Sequence, residues 1–82
     1  MQSNQVVYEF EKNANEIVRV ELSNYKGTDV IGIRVFFYAD GEKDNRVPSK
    51  KGITMRADLI PELKKAVDKA YEEWKERITI SS

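Results

Sequence analysis

The hydrophobic pattern of this chain changes period once, and nothing else in the sequence limits the fold so sharply. Up to Met55 the apolar residues tend to fall at every second position; from Leu59 onward they recur at helical spacing. In the first stretch Val6, Tyr8 and Phe10 alternate with Glu9 and Glu11, and Val18, Val20 and Leu22 alternate with Arg19, Glu21, Ser23 and Tyr25. The polar turn Lys12–Glu16 separates these runs, and Lys26–Gly27 ends the second, where glycine takes a positive φ at no steric cost. Asp29 to Ala39 is β-branched or aromatic nearly throughout, with Gly32 inside it expected to mark a bulge or a close backbone approach. A polar loop over Asp40–Asn45 follows, and Gly52–Met55 reads as a short fourth strand.

In the last third, Leu59, Leu63, Ala66, Val67, Ala70, Tyr71 and Trp74 fall on one helical stripe, opposite a mixed charged face from Glu62 to Glu76. Asp58 suits an N-cap, and Pro61 is tolerated in a first turn whose amides lack intrahelical partners. The expected order is β-β-β-β-α in one domain over 1–82, with strands near 6–11, 17–25, 29–39 and 52–55 and a helix near 59–77. This is an α+β unit of two layers, in which the helix is expected to cover one sheet face. Leu63, Val67, Ala70, Tyr71 and Trp74 are then core or dimer-interface residues.

Composition narrows the chemistry. The 82 residues include no cysteine and no histidine. That removes thiolate chemistry, the usual general base and the usual metal ligands, so no catalytic residue, metal or cofactor is expected. Asp40, Glu42 and Asp44 alternate as a calcium loop begins, but Asn45 and Lys51 stand where that loop wants a glycine and a glutamate. No apolar run reaches the roughly 18 residues of a membrane-spanning helix. The start, MQSNQVVYEF, lacks the features of a signal peptide, so a cytoplasmic location is expected, nucleoid-associated in a bacterium.

Lys plus Arg and Asp plus Glu are both 14, so net charge says nothing of nucleic acid. The distribution says more: residues 43–56 hold Lys43, Arg46, Lys50, Lys51 and Arg56 against Asp44 alone. Such a segment is either a solvated loop or a phosphate-binding footprint. A helix on one sheet face leaves the other open, presenting Arg19, Tyr25, Arg34 and one or more of Phe36, Phe37 and Tyr38. Aromatics beside arginines suit a single-stranded nucleic acid, since bases stack on rings while cations meet phosphates. The alternatives are burial of that face in a dimer and, for Arg34, an ion pair with Glu21.

The stretch NYKGTDVIGIRVFFYADGE followed by VPSKKGITM resembles the core of the transcriptional coactivator family called positive cofactor four. The likeness lies in an aromatic–Lys–Gly turn, a strand with Ile–Arg and then aromatics, an acidic Gly–Glu loop, a Lys–Gly–Ile motif and a closing amphipathic helix. It covers about residues 16–75. It implies a curved four-stranded antiparallel sheet, a homodimer and binding of single-stranded DNA with little sequence preference. By position it places Tyr25 and Phe37 at base-stacking sites and Lys26, Arg34, Lys50 and Lys51 at basic ones, with Arg19 added from the open face. Without the long N-terminal extension of the eukaryotic coactivator, a bacterial or phage-type member is expected. Strict alternation puts Arg34 with Phe36 and Tyr38, so Phe37 joins them only across a bulge or strong twist. The expected partners are single-stranded DNA, with RNA left open, a second copy of the chain, and transcription or replication proteins. The competing function is a protein-interaction module that grips a peptide with the same aromatic face. Salt separates the two, because phosphate contacts weaken steeply with ionic strength and apolar contacts do not.

Overall fold

A computed structural model describes residues 3–42 and 44–81; Lys43, one of the five cations of the basic segment, lies outside them. The elements are β1 (Ser3–Asn13), β2 (Glu16–Tyr25), β3 (Thr28–Tyr38), β4 (Arg46–Arg56) and a helix, α1 (Ile60–Ser81), with short 3-10 turns at Ala39–Gly41 and Ala57–Leu59. The strands form one antiparallel meander in the order β1-β2-β3-β4. The β-β-β-β-α order is the one the change of period called for, and the open, curved sheet is what the resemblance implied.

Local chemistry sets each connection. Lys26 (φ 53°) and Gly27 (φ 84°) both have positive φ, the requirement of the two-residue turn that matches strand twist. The Asn24 carboxamide ties this hairpin, accepting from the Gly27 N–H at 3.2 Å and donating to Asp29 at 2.8 Å. At the β1–β2 turn the Asn13 side chain accepts from the Asn15 N–H at 2.8 Å and donates to Glu16 at 2.7 Å.

Three expectations change. β4 starts at Arg46, well before Gly52, and includes Pro48. That proline is tolerated because β4 is an edge strand, where a missing N–H faces no neighbour. Gly32 sits at no bulge: it pairs with Glu21 and Thr54 in regular ladders, and a Cβ there would meet nothing within 4 Å. It widens a surface instead of admitting a backbone. Asp58 belongs to the 3-10 turn and accepts from Arg56 at 2.5 Å, so its carboxylate is turned back toward β4.

The larger correction concerns the helix. It does not cover the sheet: Val67, Tyr71, Trp74 and Ile78 are all about half exposed, at 59%, 55%, 53% and 48%. At its start, Ile60 and Ala57 of the preceding 3-10 turn line a cleft with Leu22 and Asn24. An apolar stripe demands an apolar partner but does not say which chain supplies it. Among the described residues only Ile17 and Ile31 are buried hydrophobics. The radius of gyration, 15.5 Å, exceeds the roughly 12 Å of a compact domain this long.

Gly52 is the glycine that a close approach requires. A Cβ there would lie 2.8 Å from the Ile33 carbonyl oxygen and 3.0 Å from the Arg34 Cα, on the facing strand. Gly52→Ala is therefore expected to lower stability by about 1–3 kcal/mol through forced separation of β3 and β4. Urea unfolding at fixed protein concentration checks this, with Gly32→Ala, which meets open space, as the milder control.

Candidate nucleic-acid interface

Cross-strand pairing sorts the sheet into two unlike faces. Residues paired directly opposite share a face. One face is apolar, with Tyr8, Phe10, Val18, Val20, Leu22, Ile31, Ile33, Ile53 and Met55 in mutual register. The other is mainly polar and carries Glu9, Arg19, Glu21, Ser23, Arg34, Phe36, Arg46 and Thr54, with Ile17 and Val30 among them and Tyr25 at the end of the same row. A register shift between Val6 and Tyr8 moves Val6 to the polar face, opposite Glu21, away from Tyr8 and Phe10.

Arg34 is central to the polar face. Its guanidinium donates to the Ser49 carbonyl at 3.1 Å, and no carboxylate among the described residues pairs with it. Glu21, the partner in the alternative ion-pair reading, instead lies 3.6 Å from Arg19. Ser49 organises the backbone around Arg34: its hydroxyl donates to the Val35 carbonyl at 2.7 Å and accepts from the Lys51 N–H at 3.0 Å. This holds a bulge in which Ser49–Lys51 face the single residue Val35. Beside Arg34, Gly32 and Gly52 add no side chains to the surface. A shallow cleft of about 140 Å³ results, lined by Arg19, Glu21, Ser23, Val30, Gly32, Arg34 and Thr54.

The other expected residues separate. Tyr25 is half exposed at the hairpin end, with the Lys26 ammonium 5.3 Å from its ring centroid, a cation–π pair. Arg19 lies on the polar face but is engaged, 2.5 Å from Glu9 and 4.0 Å over the Phe36 ring. Phe37 pairs with Glu16 and Val47, on the apolar side. The bulge that could have brought it beside Arg34 exists, but its extra residues are in β4, so β3 alternates without interruption across β2. Lys51 lines a hollow with Val18, Ile33, Val35 and Ile53 of the apolar side, at whose margin Arg34 and Gly52 also lie. Lys50 is exposed within the bulge. Phe36, which alternation had already put with Arg34, and Arg46 of the basic segment both lie on the polar face, although neither was among the residues assigned to nucleic-acid binding. Leu63 is part-buried, whereas Val67, Ala70, Tyr71 and Trp74 are exposed along the helix.

Burial raises the Glu9 pKa, but the hydrogen bond and charge of Arg19, joined by Arg46, outweigh it and hold the carboxyl below its ordinary 4.5. Hydrogen bonds from Asn13 and Lys12 lower Glu16 in the same direction. A carboxylate with a depressed folded pKa stabilises the fold above its unfolded pKa and loses that contribution as pH falls through the folded value. Stability is thus expected to be flat toward neutrality from these groups and to decline below pH 4.5. Urea midpoints across pH 3–7 (a range of about four units around the carboxylate pKa) check this, and Glu9→Gln should flatten part of the acid limb.

An open antiparallel sheet with one trailing helix defines a fold of the β4α class, here with an arginine–aromatic polar face. The chain belongs to the family described as transcriptional coactivator p15 (PC4), whose pattern matches residues 12–66. It is similar to a PC4 homolog from Burkholderia pseudomallei. In its orthorhombic crystal form the TM-score is 0.73 at 24% identity, covering 87% of this chain and 93% of that one. In the tetragonal form it is 0.73 at 20% identity, covering 84% and 98%. At these identities the likeness concerns the fold. No curated protein matches the chain.

Proposed function

We propose that this chain is a single-stranded DNA-binding protein with little sequence specificity, working as a homodimer in transcription, replication or repair in the cytoplasm. The observation that carries the reading is Arg34: a guanidinium free of any carboxylate among the described residues, on an open face floored by glycines, in a PC4-family chain. A cation so placed has its counter-charge still to meet, and the phosphates of a nucleic acid strand supply it. Tyr25 and Phe36 offer the π-faces, worth about 1–3 kcal/mol per stacked base, and Lys26 and Lys50 further charge. Every nucleotide has a phosphate and a π-face, so low sequence specificity follows. The protein acts by binding.

The apolar sheet face and the helix stripe support the dimer. Two such surfaces on one small chain, with two buried hydrophobic residues among those described, match what a second copy would cover. Fluorescence anisotropy of a labelled oligo-dT, about 20 nucleotides long and titrated at two salt concentrations beside the matching duplex, tests the function. Tighter binding to the single strand, weakening by roughly 0.7 log units per log unit of salt for each phosphate met, supports it. Salt-indifferent binding, or none, refutes it and passes the aromatic face to a peptide partner.

A further inference from the structure

Arg19 and Arg46, cations of β2 and β4, meet at one carboxylate of β1. Glu9 Oε2 lies 2.5 Å from Arg19 Nε, and Glu9 Oε1 lies 2.6 Å from Arg46 Nη1. Arg19 and Arg46 stand 10 and 37 positions from Glu9 in the sequence; the sheet brings all three to the polar face, where Arg19 also lines the Arg34 cleft. Each carboxylate oxygen takes one guanidinium, the arrangement by which two non-bridging oxygens of a phosphodiester are held by two arginines. Glu21, 3.6 Å from Arg19, completes a set of two cations and two anions with no net charge. Arg19 and Glu9 are part-buried, at 20% and 26% exposure, so solvent screens their contact less than that of a fully exposed pair, while Arg46 is exposed at 37%.

We propose that Glu9 sets the affinity of this face: its carboxylate occupies Arg19 and Arg46 as an internal substitute for a backbone phosphate, and a bound strand displaces it. This rests on the proposed function and specifies how that site is tuned. Arg19 and Arg46 form a second phosphate subsite beside Arg34, closed by the chain's own anion. Part of each phosphate contact is spent on releasing Glu9, so the unmodified protein binds more weakly, and with a shallower salt dependence, than its count of arginines implies.

The test is oligo-dT binding by Glu9→Gln, which keeps the side chain's length and removes its charge. Affinity at low salt is expected to rise about three- to tenfold, and the salt slope to steepen by about 0.7 for each phosphate newly met. Arg46→Ala should cost more in the Glu9→Gln background than alone, because only there is Arg46 free from the start. Equal or weaker affinity with an unchanged slope, in a variant with native circular dichroism, overturns the proposal. Should Glu9→Gln fail to fold, the unmodified protein still decides: the Arg19 Nε–H resonance must shift when oligo-dT saturates the protein. A resonance that stays in place means Glu9 keeps its arginine and the proposal is wrong. Arg34→Ala separates this failure from that of the parent reading. If the unmodified protein binds and Arg34→Ala weakens it while Glu9→Gln changes nothing, only the role of Glu9 falls. If the unmodified protein does not bind oligo-dT, the single-strand reading falls and this one with it.

Discussion

Arg34→Ala is expected to weaken oligo-dT binding about ten- to a hundredfold at low salt while leaving the sheet intact. A hydrogen bond to a charged group contributes about 1.5–3 kcal/mol, and tenfold in affinity corresponds to about 1.4 kcal/mol. The salt slope should fall by about 0.7, the share of one phosphate on a single strand. The fold should survive because the side chain's one hydrogen bond goes to the Ser49 carbonyl, while the Ser49 hydroxyl bond to Val35 holds the bulge without it. Arg34→Lys should recover part of the affinity, since an ammonium keeps the charge but loses the fork. Anisotropy titrations of the three proteins, with circular dichroism alongside, supply the comparison. Unchanged affinity in Arg34→Ala would remove the polar face from the mechanism.

The second large effect is expected on the helix. Val67→Asp combined with Trp74→Asp should abolish the proposed dimer and, with it, much of the stability. Both residues are more than half exposed on the single chain, at 59% and 53%, so within one chain the substitutions would cost little. Burying a side chain of this size against a partner is worth about 1.5–3 kcal/mol, so placing two carboxylates there should raise the dimer dissociation constant at least about a hundredfold. Sedimentation equilibrium should give twice the 9.5 kDa chain mass for the unmodified protein and the chain mass for the variant. The unmodified melting temperature should also rise with concentration. A chain that sediments at 9.5 kDa, with stability indifferent to dilution, would contradict the dimer.

Much of this was legible in the sequence because strands and helices write different periods. The alternation of Val18, Val20 and Leu22 with Arg19 and Glu21 set the two faces of β2, and the stripe from Leu63 to Trp74 set the helix. The limits have particular causes. Pro48 and its polar neighbours read as loop because periodicity does not reveal which strand lies at an edge, where proline is harmless. Val6 was given the wrong face because a bulge reverses parity without leaving a mark in composition. Phe37 was favoured by resemblance although alternation with Arg34 argued for Phe36, and the uninterrupted β2–β3 ladder follows alternation. The meeting of Glu9 with Arg19 and Arg46 joins three strands, so no local pattern could disclose it. Which chain covers the helix stripe lies beyond any single-chain pattern, because an intermolecular core and an intramolecular one write the same sequence.

The most direct test is to see which sheet face a strand touches. Methyl-labelled protein titrated with oligo-dT reports the two faces separately. Val30 and Thr54 stand beside the Arg34 cleft, whereas Val18, Ile33 and Ile53 lie on the apolar side. The expected result is shifts at Val30 and Thr54 that saturate with binding, with the apolar-face methyls unmoved. Shifts confined to Val18, Ile33 and Ile53, or none in either set, would contradict the assignment of the polar face as the nucleic-acid surface.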